Sequence, residues 1–127
     1  MVISKQTEEW LKQAEYDLET AEAMLRSRRF IYAVFMCHHC LEKALKGLLA
    51  GQGQIPVKSH DLVFLLERIG TEVPELHAEF LEMLNEVSVP TRYPEELDRL
   101  MAQYPRKRTA EIVGRCREVY TWLKNCL

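Results

Sequence analysis

Apolar residues recur at alternating intervals of three and four along this chain, and that spacing constrains its fold more than any other feature. The first such stretch runs from Leu11 to Leu25 and predicts an amphipathic helix over roughly residues 5–27. A second stretch, from about Phe30 to Ala50, carries a wider apolar face, so its helix should lie at the centre of a bundle. That face consists of Phe30, Ala33, Val34, Cys37, Cys40, Leu41, Ala44, Leu45 and Leu48.

Glycines and prolines mark where the helices begin and end. Gly51 and Pro56 lie in a predicted loop after the second helix, because glycine ends helices readily and proline blocks their resumption. Ser59 is the predicted N-cap of a short helix that ends at Gly70. Pro74 suits the first turn of the next helix, where its missing N–H costs nothing.

The C-terminal half continues this helical pattern with one interruption. The fourth helix should bury Leu76, Phe80, Leu84 and Val87. Three prolines then predict a structured loop with one helical turn over residues 88–104. From about Arg106, a final helix is predicted by the spacing of Ile112, Cys116, Val119 and Leu123.

These elements predict an all-α fold. Alternating β-branched runs and Asn-Gly hairpin turns do not occur in the sequence. We therefore expect an antiparallel up-and-down bundle of four to five helices. A length of 127 residues fits a single domain, residues 1–127, with one core.

Composition excludes several functional classes. Apolar residues make up 47% and charged residues 28%, which is ordinary for a globular chain and excludes a disordered or fibrous one. A net charge of −2 excludes a polycation that coats nucleic acid. A charge-free apolar stretch of about 18 residues, which a membrane span needs, is absent. The polar N-terminus lacks the apolar core of a signal peptide, so we expect a cytoplasmic protein.

Charge is distributed in alternating blocks. Residues 1–25, 26–59, 60–100 and 101–127 carry net charges of −4, +5, −7 and +4. Such blocks indicate either ordinary solvated helix faces or self-association in which unlike blocks meet. Together with the very apolar second helix, they favour a homodimer.

The segment Cys37-His-His-Cys40 has a spacing found in zinc and redox sites. It lies within an apolar helix, however, rather than at a helix N-terminus, where a thiolate would be stabilised. We interpret these cysteines as small buried apolar residues, and we expect no metal and no cofactor. A zinc site that recruits Cys116 or Cys126 is the alternative.

The second helix also carries a polar strip. At 100° per residue its members span an arc of about 140°. They are His38, His39, Glu42, Lys43 and Lys46. Glu42 and Lys46 stand at i and i+4 and can pair. The strip either faces solvent or lines a groove.

Two further segments are candidates for ligand binding. In Ser59-His-Asp61 three consecutive residues cannot form a catalytic relay, but His60 can bind an anion when it is protonated. In Pro90-Thr-Arg-Tyr-Pro94 the prolines restrict the backbone around Arg92 and Tyr93. A guanidinium and a phenol held in this way suit a phosphate and a stacked base. The alternative is a loop in which Arg92 pairs with an internal carboxylate and Tyr93 covers the core.

The ordered set of these segments resembles the HEPN domain, the higher-eukaryote and prokaryote nucleotide-binding helical domain. The matching pieces are Trp10-Leu-Lys-Gln-Ala-Glu-Tyr-Asp-Leu18, Cys40-Leu-Glu-Lys-Ala-Leu-Lys-Gly-Leu48, Ser59-His-Asp-Leu62 and Pro90-Thr-Arg-Tyr-Pro94. The resemblance implies a helical bundle, usually a homodimer. It also implies action beside a minimal nucleotidyltransferase, in a toxin–antitoxin or related two-component pair.

The resemblance also indicates a ligand-binding set, which the polar strip extends by His39. The set is Glu42, Lys43, Lys46, His60, Arg92 and Tyr93, together with His39. Nuclease members of the family carry an arginine followed, after four to six residues, by a histidine. The corresponding positions after Arg92 hold Leu97, Asp98 and Arg99.

This departure favours a non-catalytic protein that binds a nucleotide, an RNA phosphate or a nucleotidyltransferase. The alternative is a metal-independent endoribonuclease toxin, in which Arg92 stabilises the phosphorane and a histidine from elsewhere exchanges protons. An interaction module without a ligand is a third possibility.

Overall fold

Six helices make up the fold in a computed structural model that describes residues 4–55, 57–87, 95 and 97–127. They are α1 (Lys5–Arg26), α2 (Phe30–Gly51), α3 (Leu62–Ile69), α4 (Glu75–Asn85), α5 (Leu97–Gln103) and α6 (Arg106–Lys124). Strands are absent from the described part of the chain, and the predicted all-α class is confirmed. The helix count exceeds the predicted four to five because α5, two turns long, forms where one turn was expected.

Helix α1 forms where the periodicity predicts it. Ser4 caps its first turn by accepting a hydrogen bond from the Thr7 backbone N–H at 3.2 Å. The chain then reverses through a short turn in which Arg28 adopts a left-handed conformation, with φ of 63°. Because this turn is short, α1 packs against α2 along its length as an antiparallel neighbour.

Helix α2 is the central element, as its wide apolar face predicts. It contacts each of the other five helices. Close approach to α1 depends on Gly47, because a Cβ placed there would lie 3.2 Å from the Trp10 Cβ. At the same crossing, the buried Thr7 hydroxyl donates to the Gly47 carbonyl at 3.1 Å.

The start of α3 differs from the prediction. The N-cap is Asp61 rather than Ser59, and the Asp61 carboxylate accepts from the Val63 and Phe64 N–H groups. Ser59 instead accepts from the Asp61 N–H at 3.1 Å and so shapes the preceding turn. The C-terminus follows the prediction, with Gly70 left-handed at φ of 63°.

The prediction that Leu76 belongs to the buried face of α4 is wrong. Phe80, Leu84 and Val87 are buried, but Leu76 is 67% exposed. The end of α4 around Leu76 is met by Arg115 of α6, whose guanidinium donates to the Leu76 carbonyl and lies over the Phe80 ring. Leu76 therefore contributes its backbone carbonyl, rather than its side chain, to the contact with α6.

Helix α6 closes the bundle against α1 and α2. The four residues that predict it are all buried. At the surface, Arg117 forms a two-point ion pair with Glu22 of α1, with both N–O distances 2.9 Å. Within the described residues, no helix is long and apolar enough to cross a membrane.

Candidate functional site

The carboxylate of Glu42 is the centre of a cluster of charged and polar side chains on α2. Its Oε2 lies 3.1 Å from Lys46 Nζ, one helical turn further along. Both of its oxygens lie 3.0 Å from His60 Nδ1. Glu42 and Lys46 are buried, whereas the His60 side chain is 73% exposed. The cluster thus joins a buried ion pair to an imidazole at the surface.

His60 is held in place by the segment that precedes α3. The next residue, Asp61, caps α3 and also accepts from Asn85 Nδ2 at 2.9 Å. The Asn85 side-chain oxygen Oδ1 in turn accepts from the Leu62 N–H at 2.8 Å. Because Asn85 ends α4, this helix fixes the backbone on the C-terminal side of His60.

The Glu42 carboxyl stays ionised in spite of its position. Burial raises its pKa, but hydrogen bonds from His60 and Lys46 and the charge of Lys46 together lower it more. Its pKa therefore lies below the ordinary value of 4.5. An ionised carboxylate only accepts hydrogen bonds, so the proton between the two groups belongs to His60 Nδ1.

This arrangement fixes the tautomer of neutral His60. With Nδ1 protonated and bound to Glu42, Nε2 on the far side of the ring carries the lone pair. That nitrogen can accept a proton, and in the imidazolium form it can donate to an anion. The cluster is therefore able to bind a phosphate oxygen or to exchange a proton with a bound molecule.

A second histidine, His38, lies beneath this cluster. Its Nδ1 is 3.9 Å from the Glu42 carboxylate, and its side chain is almost fully buried. Its ring interacts with the Asn85 side chain, which favours the charged form of the imidazole. Burial lowers the pKa of His38, and the nearby Glu42 charge offsets this only in part. His38 is therefore a neutral neighbour of the ion pair near neutral pH.

The three buried cysteines form a separate group in the core. Cys37 and Cys40 of α2 meet Cys116 of α6, whose thiol lies 3.8 Å from the Cys37 carbonyl. Contact with the other two thiols, together with burial, raises the pKa of Cys116. The described residues contain no group of three His, Cys, Asp or Glu side chains arranged to hold a metal. These thiols pack as apolar side chains between two helices.

A wide concavity between α1 and α6 lies away from the Glu42 cluster. It has a volume of about 700 Å³ between α1 and α6, and Tyr16 and Tyr120 form part of its wall. Four glutamates and three lysines surround it. Since opposite charges are mixed around the rim, the concavity offers no single-sign field for an ionic ligand.

Comparison with known proteins assigns the chain to a family. The family model of the HEPN domain matches residues 7–126. The chain belongs to the HEPN domain family. None of the curated proteins in the comparison matches this HEPN chain.

Two solved structures are similar to this HEPN domain over nearly its whole length. The crystal structure of TT1696 from Thermus thermophilus is 27% identical, with a TM-score of 0.85, and covers 98% of this chain and 100% of that one. The crystal structure of ST0689, an archaeal HEPN homologue, is 30% identical, with a TM-score of 0.78, and the coverage is 96% and 98%. The resemblance seen in the sequence is thereby confirmed.

In the structure of this HEPN domain, the residues predicted to bind a ligand do not all lie together. Glu42, Lys46 and His60 meet in one cluster. Lys43 points to α1 instead, where its Nζ lies 2.6 Å from Asp17 Oδ2. His39 is partly exposed and packs its ring against Phe35, with 4.7 Å between centroids. Arg92 and Tyr93, with the rest of Pro90–Pro94, lie outside the described residues.

Two residues that make contacts near the cluster, Asp17 and Asn85, could not be predicted from the sequence. Asp17 lies within the apolar spacing of α1, and that spacing does not reveal that its carboxylate pairs with Lys43 of the polar strip. Asn85 carries no signal at all, because its role depends on the packing of α4 against α3. Both act through contacts between helices, which periodicity alone does not reveal.

The lowered pKa of Glu42 predicts how stability depends on pH. The ionised carboxylate stabilises the fold fully above its ordinary pKa of 4.5, and this contribution is lost as the pH falls through the lower value in the folded state. Replacing Glu42 by Gln should therefore destabilise the protein at pH 7 and flatten the decline in unfolding free energy below about pH 5. Urea unfolding of both proteins between pH 7 and pH 3 measures this. Parallel pH profiles would contradict the assignment.

Proposed function

We propose that this HEPN protein acts in the cytoplasm as a helical homodimer that binds a nucleotide or an RNA phosphate. In this proposal it works with a nucleotidyltransferase partner, in a toxin–antitoxin type of two-component system. The observation that carries the binding role is the exposed imidazole of His60, which the buried Glu42–Lys46 pair holds by its Nδ1. A protonated His60 presents Nε2–H to solvent and adds positive charge to a pair that is otherwise neutral.

The charge around this cluster supports an anionic ligand. Lys58, two residues before His60, is exposed and adds a positive charge to this segment, whereas the adjacent Asp61 carboxylate is engaged in capping α3. The Lys43–Asp17 pair is neutral and does not oppose an anion. Arg92 and Tyr93 are included in the proposed site because of their sequence context.

Binding is tested by titrating nucleotides and a short RNA against purified protein. His60→Gln should weaken binding by roughly 10- to 150-fold, since a hydrogen bond to a charged group contributes roughly 1.5–3 kcal/mol. It should also reduce the slope of log affinity for RNA against log salt concentration by about one, as expected for the loss of one phosphate contact. Arg92→Ala should weaken binding as well.

The matched control for this measurement is His77→Gln, the same substitution on α4, where the His77 ring packs against Trp122 at 5.8 Å. This variant should bind like the wild type. Equal affinity in His60→Gln, Arg92→Ala and wild type, or no binding by wild type, argues against the site.

The proposed assembly is supported by exposed aromatic side chains as well as by the charge blocks. Tyr16 and Tyr32 are exposed on the two longest helices. Light scattering at micromolar concentration should give twice the 14.9 kDa mass of one chain. Co-elution with a nucleotidyltransferase encoded beside its gene should reveal the partner. A species with the mass of one chain, with or without that protein, contradicts the assembly.

The Glu42–His60 geometry also favours a second candidate, metal-independent RNA cleavage. A carboxylate that orients one imidazole nitrogen leaves the other free to accept the proton of a ribose hydroxyl. Cleavage should then persist in EDTA, and His60→Gln should slow it by roughly 10²–10⁴. RNA that stays intact after long incubation with a high concentration of wild-type protein eliminates this candidate.

A further inference from the structure

A shallow concavity on α1 lies beside the Glu42 cluster. Its volume is about 360 Å³, and it is lined by Gln6, Glu9, Trp10 and Gln13. Gln6, Trp10 and Gln13 follow each other at i, i+4 and i+7 and therefore share one face of the helix. Trp10 is partly exposed, whereas the other three residues are exposed. The indole is thus flanked along the helix by two amides.

The backbone beneath Trp10 is held firmly. Gly47 of α2 lets the Trp10 Cβ approach so closely that a Cβ at position 47 would lie 3.2 Å away. The Thr7 hydroxyl, one turn before Trp10, donates to the Gly47 carbonyl at 3.1 Å in the same crossing. Because the indole has only two side-chain torsions and its backbone is fixed, covering the ring with a flat ligand costs little conformational entropy.

Trp10 is joined to the Glu42 cluster through Lys46. The Lys46 ammonium lies 5.8 Å from the centroid of the indole ring, within the range of a cation–π contact. The same ammonium lies 3.1 Å from Glu42, which in turn binds His60. The aromatic surface and the exposed imidazole are therefore two ends of one connected group of side chains.

The chemistry of the concavity suits an uncharged heterocycle better than a phosphate. The face of the indole opposite the Lys46 ammonium can stack on any base. The amides of Gln6 and Gln13 offer both donors and acceptors, as the edges of bases require. Glu9 only accepts hydrogen bonds and would repel a phosphate, but it can accept from an amino group of a base.

We infer that Trp10 is a stacking platform for a nucleobase, with Gln6, Glu9 and Gln13 at its edge. The inference rests on the proposed function, because it assigns the base of a nucleotide to α1 and its phosphate to the His60 end of the cluster. None of these four residues belongs to the ligand-binding set predicted from the sequence.

The test uses a Trp122→Phe protein, in which Trp10 is the only tryptophan. Adenosine 5′-monophosphate and adenosine should both quench its fluorescence. Ribose 5-phosphate, which lacks the base, should bind without quenching, as followed by calorimetry. Trp10→Leu should weaken binding of the monophosphate by roughly 5- to 150-fold and leave ribose 5-phosphate unchanged. Trp10→Phe, which keeps an aromatic face, should recover part of the affinity.

Controls separate stacking from folding and from the proposed function. Trp122→Leu, the equivalent substitution on α6, should not change affinity for the monophosphate, and thermal unfolding should show that each variant is folded. Equal affinity of Trp10→Leu and wild type for the monophosphate overturns the platform but leaves phosphate binding intact. Quenching by adenosine with no binding of ribose 5-phosphate supports the platform and removes the phosphate site. Absence of binding by all three compounds overturns both.

Discussion

The burial of an ionised carboxylate on the central helix is the constraint on which the rest of this site depends. A buried ion costs several kcal/mol unless it is paired and hydrogen-bonded, so Glu42 requires Lys46 and His60. Meeting this requirement ties the segment before α3 to the middle of α2. It also brings the Lys46 ammonium to the edge of α1, beside Trp10. One acid thereby links three parts of the chain that are distant in sequence.

The long helices could be predicted from sequence because their signals are local. The spacing from Leu11 to Leu25 and from Ile112 to Leu123 needs no knowledge of neighbours, and α1 and α6 form there. The width of the apolar face of α2 likewise predicted its central place. The family resemblance depended on short motifs within these same helices, which is why it covered nearly the whole chain.

The remaining features depend on tertiary contacts that a local pattern does not contain. Ser59 and Asp61 are both good caps, and Asn85 of α4 holds the one that is used. The sequence of the polar strip does not indicate that Glu42 is buried. Nor does it indicate that the Glu42 carboxylate binds His60, which lies 18 residues further along the chain. Leu76 fitted the apolar spacing, yet its side chain is exposed, and it is its backbone carbonyl that accepts a hydrogen bond from Arg115 of α6.

The central position of α2 also has a consequence for how the chain assembles. Because α2 follows α1 after a short turn, the two can pair early, at little cost in loop-closure entropy. Helix α6 packs against both of them, so its contacts with α1 close a loop that spans most of the chain. The ion pair between Glu22 and Arg117, which are 95 residues apart, must await the arrival of α6. The two ends of the domain are therefore joined only when the last helix docks.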